Sequence, residues 1–334
     1  MSDLGSLVEQ LRSSRGFAHK RDIGAALGTL VNSLPGGSTD LAQAVAVGDD
    51  CAAIPDGDGW LLFAIEGFVD DFVQAMPWFA GWSGVMVNLS DIAAMGGRGV
   101  AVVDALWARG GEAGQAVLQG LAAAASAYQV PIVGGHTNHR SDRNGLAVAV
   151  LGRARRLLTS FNARPGDRLL MAVDLRGAFE DPHPFWNATA GAPPERLRAD
   201  LALLPELAEA GLADAAKDIS MAGVLGTALM LLECSKVGAE IDLAAIPRPA
   251  CVGAEVPLLR WLQAFPSYGF LLSVRPAQAG AVAARFAARG LACADIGTVT
   301  PGPEVGLHAG AERALLWDLS AETFIAARTE AAHA

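Results

Sequence analysis

The sequence predicts an α+β protein built from two domains. Three observations lead there. The chain has 334 residues, about twice the ~150 of an ordinary domain. Apolar residues make up 52% and charged residues 18%, the balance of a chain that buries a sizeable core. Strand and helix patterns alternate through the first half but keep no strict βαβ order in the second.

The elements follow in order. A strand is expected over residues 43–47, running into Gly48-Asp49-Asp50, and a second, almost continuously apolar one over 60–65, ending at Glu66. Residues 81–95 read as a helix stopped by Gly96-Gly97. A strand over 100–106, a long helix over 112–128 and a strand over 130–133 come next, the last ending in Gly134-Gly135-His136. Residues 146–151 complete a sheet. Arg164-Pro165-Gly166-Asp167 is a turn signal. It introduces a strand over 168–173 and marks the end of a first domain, 1–160, and the start of a second, 161–334. An irregular stretch rich in Pro, Gly and aromatics spans 177–194. Helices are expected over 194–207, 223–235 and 277–289, and strands over 269–274 and 294–299.

Composition narrows the function classes. The formal net charge is −10 and only three lysines occur, Lys20, Lys217 and Lys236, so a nucleic-acid partner is not expected. No apolar run approaches the ~20 residues that span a bilayer, and the first residues lack a basic-then-apolar leader pattern. The expected address is the cytoplasm. Cys51, Cys234, Cys251 and Cys293 form no Cys-x-x-Cys pair, which argues for buried free thiols rather than a zinc finger.

The informative acids end apolar strands or interrupt apolar helices, because a buried carboxylate without a partner is expensive. Asp49 and Asp50 follow Val45-Ala46-Val47-Gly48 and precede another apolar run. Adjacent carboxylates there call for a cation, although a polar turn would also accommodate them. Asn88 and Asp91 lie three apart in Asn88-Leu89-Ser90-Asp91-Ile92-Ala93-Ala94-Met95, hence on one helix face. Oxygen ligation of Mg²⁺ suits that face, and a helix-packing hydrogen bond is the competing explanation. Glu66 closes its strand. Gly134 and Gly135 let backbone approach phosphate oxygens closely, with His136 and Thr137 following. Lys217-Asp218-Ile219-Ser220 precedes the small-residue turn Met221-Ala222-Gly223 at a helix start, a ready anion site. Together these describe Mg²⁺-nucleotide chemistry.

The order and wording of these motifs resemble the aminoimidazole-ribonucleotide-synthetase-like superfamily, and most of all thiamine-monophosphate kinase. The resemblance runs from about Val47 to Thr300. It is carried by Gly48-Asp49-Asp50-Cys51-Ala52-Ala53, Asn88-Leu89-Ser90-Asp91-Ile92-Ala93-Ala94-Met95-Gly96 and Arg164-Pro165-Gly166-Asp167. It implies an N-terminal domain that pairs its sheet with that of a second copy into a shared β-barrel, a C-terminal α/β sandwich domain, and an obligate homodimer. It further implies ATP held through Mg²⁺ by Asp49 or Asp50, Glu66, Asp91 and Asp218. Asn88, Gly134, Gly135, Thr137, Lys217 and Ser220 are the expected nucleotide contacts, with Lys20 and His136 as catalytic candidates.

The chain also departs from the kinase. Glu66 replaces an Asp, His136 replaces the Asp of Gly-Gly-Asp-Thr, and Met221 replaces a second Asp of the kinase's Asp-x-Ser-Asp-Gly. A neutral nitrogen is a poor ligand for Mg²⁺, so the kinase's full metal cluster and its substrate are not expected. Gly16-Phe17-Ala18-His19-Lys20 stands where selenophosphate synthetase has a mobile segment with Cys and Lys; here the Lys is present and the Cys is not. The last residues, Ala331-Ala332-His333-Ala334, lack the terminal Cys of the hydrogenase-maturation enzyme. The favoured reading is an enzyme that passes the ATP γ-phosphoryl group to a small molecule or activates its oxygen. A non-catalytic nucleotide-binding or regulatory relative is the alternative. A transition-metal site using His136 and His139 is a third.

Overall fold

The computed structural model describes residues 4–31 and 47–326; most of the strand expected over 43–47 lies outside them. The described chain opens with α1 (Leu4–Arg12) and α2 (Arg15–Val31). Then come β1 (Ala52–Asp56), β2 (Gly59–Phe68), α3 (Asp70–Ala75), α4 (Pro77–Ala94), β3 (Arg98–Arg109), α5 (Gly111–Tyr128), β4 (Ile132–Asn138) and β5 (Arg140–Ala154). After β6 (Arg168–Val173), β7 (Ala178–Phe179) and β8 (Phe185–Asn187) follow α6 (Pro194–Leu201), α7 (Leu203–Glu209) and β9 (Ala215–Asp218). The remainder is α8 (Gly223–Ser235), β10 (Gly238–Asp242), α9 (Leu258–Leu262), β11 (Phe265–Pro266), β12 (Gly269–Val274), α10 (Pro276–Ala287), β13 (Ala292–Thr300), β14 (Glu304–Ala309) and β15 (Glu312–Asp318).

Two compact units emerge, and each is discontinuous. One takes the described residues of Met1–Asp49, Leu158–Ala188 and Ala210–Ala334; the other takes Asp50–Leu157 and Thr189–Glu209. A single cut after residue 160 therefore does not describe them. The reason is the apolar face of α1, whose Leu4, Leu7, Val8 and Leu11 join the same core as Trp317 and Phe324. Short amphipathic helices find stability by covering a core rather than by propensity.

In the Asp50–Leu157 unit a five-stranded sheet runs β1-β2-β5-β3-β4. One face is apolar core: Leu62, Ala64, Val102, Leu106, Val148 and Val150 are all buried. α4 lies against it and is buried along its whole length from Phe79 to Ala94, which explains its unbroken apolarity. Its partner is α5. A Cβ on Gly81 would sit 2.1 Å from the Val117 carbonyl oxygen, and one on Gly120 only 1.9 Å from that of Trp78. The two backbones touch there, and only glycine permits it.

The other face of the sheet exposes Phe63, Ile65, Val103 and Trp107. The sheet is open in the single chain, with β1 and β4 at its edges, not a closed barrel. β4 also extends further than the sequence suggests: Gly134, Gly135, His136 and Thr137 are strand residues, parallel to Val103–Leu106, rather than a loop beyond a strand. The helix expected over 194–207 is two, broken at Ala202.

The other unit has a seven-stranded sheet in the order β15-β14-β10-β13-β6-β12-β9, with a small three-stranded sheet β11-β8-β7 beside the irregular segment. β10 and β14 are parallel; the remaining pairs of the large sheet are antiparallel. Phe179 and Trp186 of the irregular stretch pack edge to face with each other and with Trp261, so these aromatics supply core.

Candidate functional site

The Asp50–Leu157 unit brings two of the expected ligands together. Asp50 precedes β1, and Asp91 projects from α4, where it is 5% exposed. A carboxylate oxygen of each lies within 4.8 Å of the other. Two carboxylates at that distance repel in a medium of low polarity, and a divalent cation or a shared proton relieves the repulsion. Glu66, in β2, stands outside that 4.8 Å grouping.

Asn88 is fully buried. Its Nδ2 donates to the carbonyl oxygens of Gly84 at 2.7 Å and Val148 at 3.0 Å, pinning α4 to β5. That is the helix-packing role weighed for it. Its Oδ1 is buried with no hydrogen-bond partner among the described residues, an uncommon state for a buried amide.

Asp49 differs from its neighbour. It belongs to the other compact unit, and its carboxylate accepts from Thr159 Oγ1 at 2.8 Å, Ser160 N at 2.9 Å and Ser160 Oγ at 2.7 Å. A carboxylate so engaged is a clasp for residues 159–160. Of the pair, Asp50 is the one placed for a ligand.

That same unit holds Lys20, Lys217, Asp218 and Ser220. Lys217 and Asp218 end the edge strand β9, both 4% exposed, and register with Leu271 and Phe270 of β12. Ser220 N donates to Thr227 Oγ1, which in turn donates to the Asp218 carbonyl oxygen. This ties the turn to the first residues of α8. The buried Ser220 Oγ has no partner among the described residues. α8 begins without a side-chain cap; Gly223 N donates to the Ser220 carbonyl oxygen at 2.8 Å, and the N–H groups after it form the positive end of the helix.

Lys20 is not on a mobile segment: it is helical, in α2. Gly16, one turn earlier and so on the same face, packs against this turn, and a Cβ there would lie 2.4 Å from the Met221 carbonyl oxygen. The N-terminal glycine and lysine thus share a helix face that meets the residues before α8.

Gly134, Gly135, His136 and Thr137 all lie on the exposed edge strand β4. His136 registers with Ala105, and its ring lies 6.4 Å from that of Trp107. His139 packs against Gly114 of α5, where a Cβ would lie 2.5 Å from its ring. No group of three metal-ligating side chains includes either histidine among the described residues, so the transition-metal reading gains nothing.

One residue was passed over. Asp104 sits in mid-β3, between the buried Val102 and Leu106, and its Oδ2 is buried without a partner among the described residues. Burial pushes its carboxyl above the usual carboxylate range. It registers with Val148, which registers with Glu66, and with Gly135 on the other side. A Cβ at Gly135 would lie 2.4 Å from Asp104 Oδ1. The signal was present: an acid interrupting the apolar run 100–106, the criterion that picked out Asp91.

Comparison with known proteins agrees with this architecture. The family models "AIR synthase related protein, N-terminal domain" and "AIR synthase related protein, C-terminal domain" match residues 48–154 and 179–310. "Uncharacterized protein sll0787" of Synechocystis sp. is 48% identical over 317 residues, 95% of this chain and 96% of that one. A thiamine-monophosphate kinase of Pyrococcus abyssi is 36% identical over 139 residues, 39% of this chain and 44% of its own. Among solved structures, T. maritima PurL complexed with ATP superposes with a TM-score of 0.69 at 18% identity, covering 88% of this chain and 49% of that chain. AaThiL complexed with AMPPCP and TMP superposes with a TM-score of 0.65 at 19% identity, covering 88% and 95%. These likenesses establish the two-domain α+β fold.

Proposed function

The chain belongs to the AIR synthase related protein family, and we propose that it is an ATP- and Mg²⁺-dependent enzyme acting on a small molecule. It transfers the γ-phosphoryl group to that molecule or activates one of its oxygens for attack. The observation that carries this reading is the approach of the Asp50 and Asp91 carboxylates to within 4.8 Å of one another, with Asp91 buried. Hard, anionic oxygens at that spacing fit Mg²⁺ and suit no softer ion as well. Solved relatives of the same fold contain ATP or AMPPCP, which supports the nucleotide.

In this reading Asp50 and Asp91 are the metal ligands, with Asp218 and Glu66 as further carboxylates. Mg²⁺, when bound, neutralises charge on the phosphates. The chain's own groups do the rest. The Asn88 Oδ1 and Ser220 Oγ, both without partners among the described residues, orient polar groups of the ligand. The Lys20 ammonium and the positive end of α8 attract phosphate oxygens. Lys217, Gly134, Gly135 and Thr137 complete the nucleotide contacts, and His136 faces the substrate. With His136 and Met221 in place of acids, fewer metal ions are held than in the kinase, and the substrate is not thiamine phosphate.

The protein is a cytoplasmic homodimer in the same reading. Phe63, Ile65, Val103 and Trp107 are exposed together on one sheet face, the kind of apolar surface that marks an interface, and a second copy covers it. Among the described residues no helix is long and apolar enough to cross a membrane.

Calorimetric titration with a non-hydrolysable ATP analogue, with and without Mg²⁺, tests the proposal. Mg²⁺-dependent micromolar binding that disappears in Asp91→Asn is expected. No binding in either condition would turn the assignment to a non-catalytic, regulatory relative.

A further inference from the structure

A polar cavity lies within the unit that holds Asp50–Leu157 and Thr189–Glu209; neither Asp50 nor Asp91 lines it, and the proposed reaction makes no use of it. It has a volume of about 480 Å³, within the range of small-molecule sites. Arg98 from the start of β3, Arg153 from the end of β5, Arg155 just after that strand, Asp58 from the β1–β2 turn and Glu209 from the end of α7 line it. Gly59, Gly99 and Ala154 form its low walls. The chain as a whole is acidic, so three guanidinium groups in one cavity need a reason.

Arg98 and Arg153 are directly opposite one another across the β3–β5 ladder. Like charges in that relation destabilise a sheet. Each is relieved separately. Arg98 makes a two-pronged pair with Glu209, Nη1 to Oε1 at 2.6 Å and Nη2 to Oε2 at 3.3 Å. Arg153 reaches Asp58 at 3.3 Å and Asp56 at 3.5 Å. Arg155 has no ion-pair partner among the described residues, yet it lies close enough to Glu209 to help hold that carboxyl below its usual range, after Arg98. The cavity therefore offers one unsatisfied guanidinium and a second, on Arg98, held by a carboxylate that a ligand can displace.

We propose that this cavity is an anion site for a small phosphate-bearing molecule, gripped by Arg155 and Arg98 with Glu209 as the internal anion it displaces. Planar guanidinium forks match the oxygens of phosphate in pairs. The volume exceeds that of a lone phosphate. No aromatic side chain lines the cavity, so nothing stacks on a nucleobase and the organic body is small. The inference is independent of the nucleotide reading.

The test is titration of the full-length protein with inorganic pyrophosphate, in EDTA and low salt so that no metal-phosphate site contributes. Saturable binding with one site per chain is expected. Arg155→Gln should weaken it by about tenfold or more, the equivalent of one charge-assisted hydrogen bond. Since Arg155 supports no ion pair among the described residues, that variant should keep its fold, which circular dichroism checks. Glu209→Gln should have the opposite effect, tightening binding several-fold, because it frees Arg98 and removes a competing negative charge. Asp91→Asn should leave pyrophosphate binding unchanged. The proposal is overturned by absence of saturable binding up to about 10 mM, the millimolar limit of specific affinity. It is equally overturned if Arg155→Gln has no effect, if Glu209→Gln weakens binding, or if Asp91→Asn abolishes it.

Discussion

Replacing Asp49 separates two adjacent acids that look equivalent in the sequence. Asp49 accepts three hydrogen bonds from Thr159 and Ser160, at 2.7–2.9 Å, and Ser160 is fully buried. Hydrogen bonds to a charged acceptor contribute about 1.5–3 kcal/mol each, but three on one carboxylate are not additive. Asp49→Ala also strands the Ser160 N–H and hydroxyl away from water, so the expected loss of stability is about 3–4 kcal/mol. Asp49→Asn keeps one acceptor oxygen and should lose about half as much. Urea denaturation followed by circular dichroism gives the stability, and titration with the Mg²⁺-nucleotide analogue gives the affinity. The folded fraction of Asp49→Asn should bind as the parent does. Asp50→Asn should differ in losing Mg²⁺-dependent binding, because a neutral amide replaces a hard anionic ligand. A stability loss under about 1 kcal/mol in Asp49→Ala, or a selective loss of nucleotide affinity in Asp49→Asn, would refute the division of labour.

Two further substitutions test the frame around the site. Asp104 holds its proton more tightly in the folded chain than in the unfolded one, so its contribution to stability falls as pH rises from about 4 through the raised folded value. Asp104→Asn should therefore stabilise the protein at pH 7, by under about 1 kcal/mol given its partial exposure, and the gain should vanish near pH 3.5; equal gains at both pH values in denaturant melts would contradict this. Gly120→Ala places a Cβ 1.9 Å from the Trp78 carbonyl oxygen, and forcing α4 from α5 should cost about 3 kcal/mol or more. Calorimetric melting that moved by less than a degree would show that the helices separate freely.

What the sequence made legible was whatever rests on local pattern. The α4 helix, the strand Gly269–Val274 and the turn at Gly166 all appear where apolar period and glycine position put them. The site residues were legible for a related reason: an acid in apolar surroundings stands out wherever it is, and Asp91 and Asp218 are indeed buried. What escaped depends on contacts between distant segments. Nothing near Asp49 announces Thr159 and Ser160, which lie 110 and 111 residues away, so the Asp49-Asp50 pair could not be divided. Lys20 was expected on a mobile segment from the likeness to selenophosphate synthetase, and only the packing of Gly16 on Met221 reveals a fixed helix face. Asp104 is the instructive omission. It lies two residues from the buried Val102 and Leu106 and so on their face of the strand, but the rule that picks out Asp91 was applied to strand ends and helix interiors, and an acid in mid-strand fell outside both. Its burial follows from the register Glu66–Val148–Asp104–Gly135, which pairing alone creates. Chemistry on a single element can be read in advance; chemistry assembled across a sheet must wait for the register.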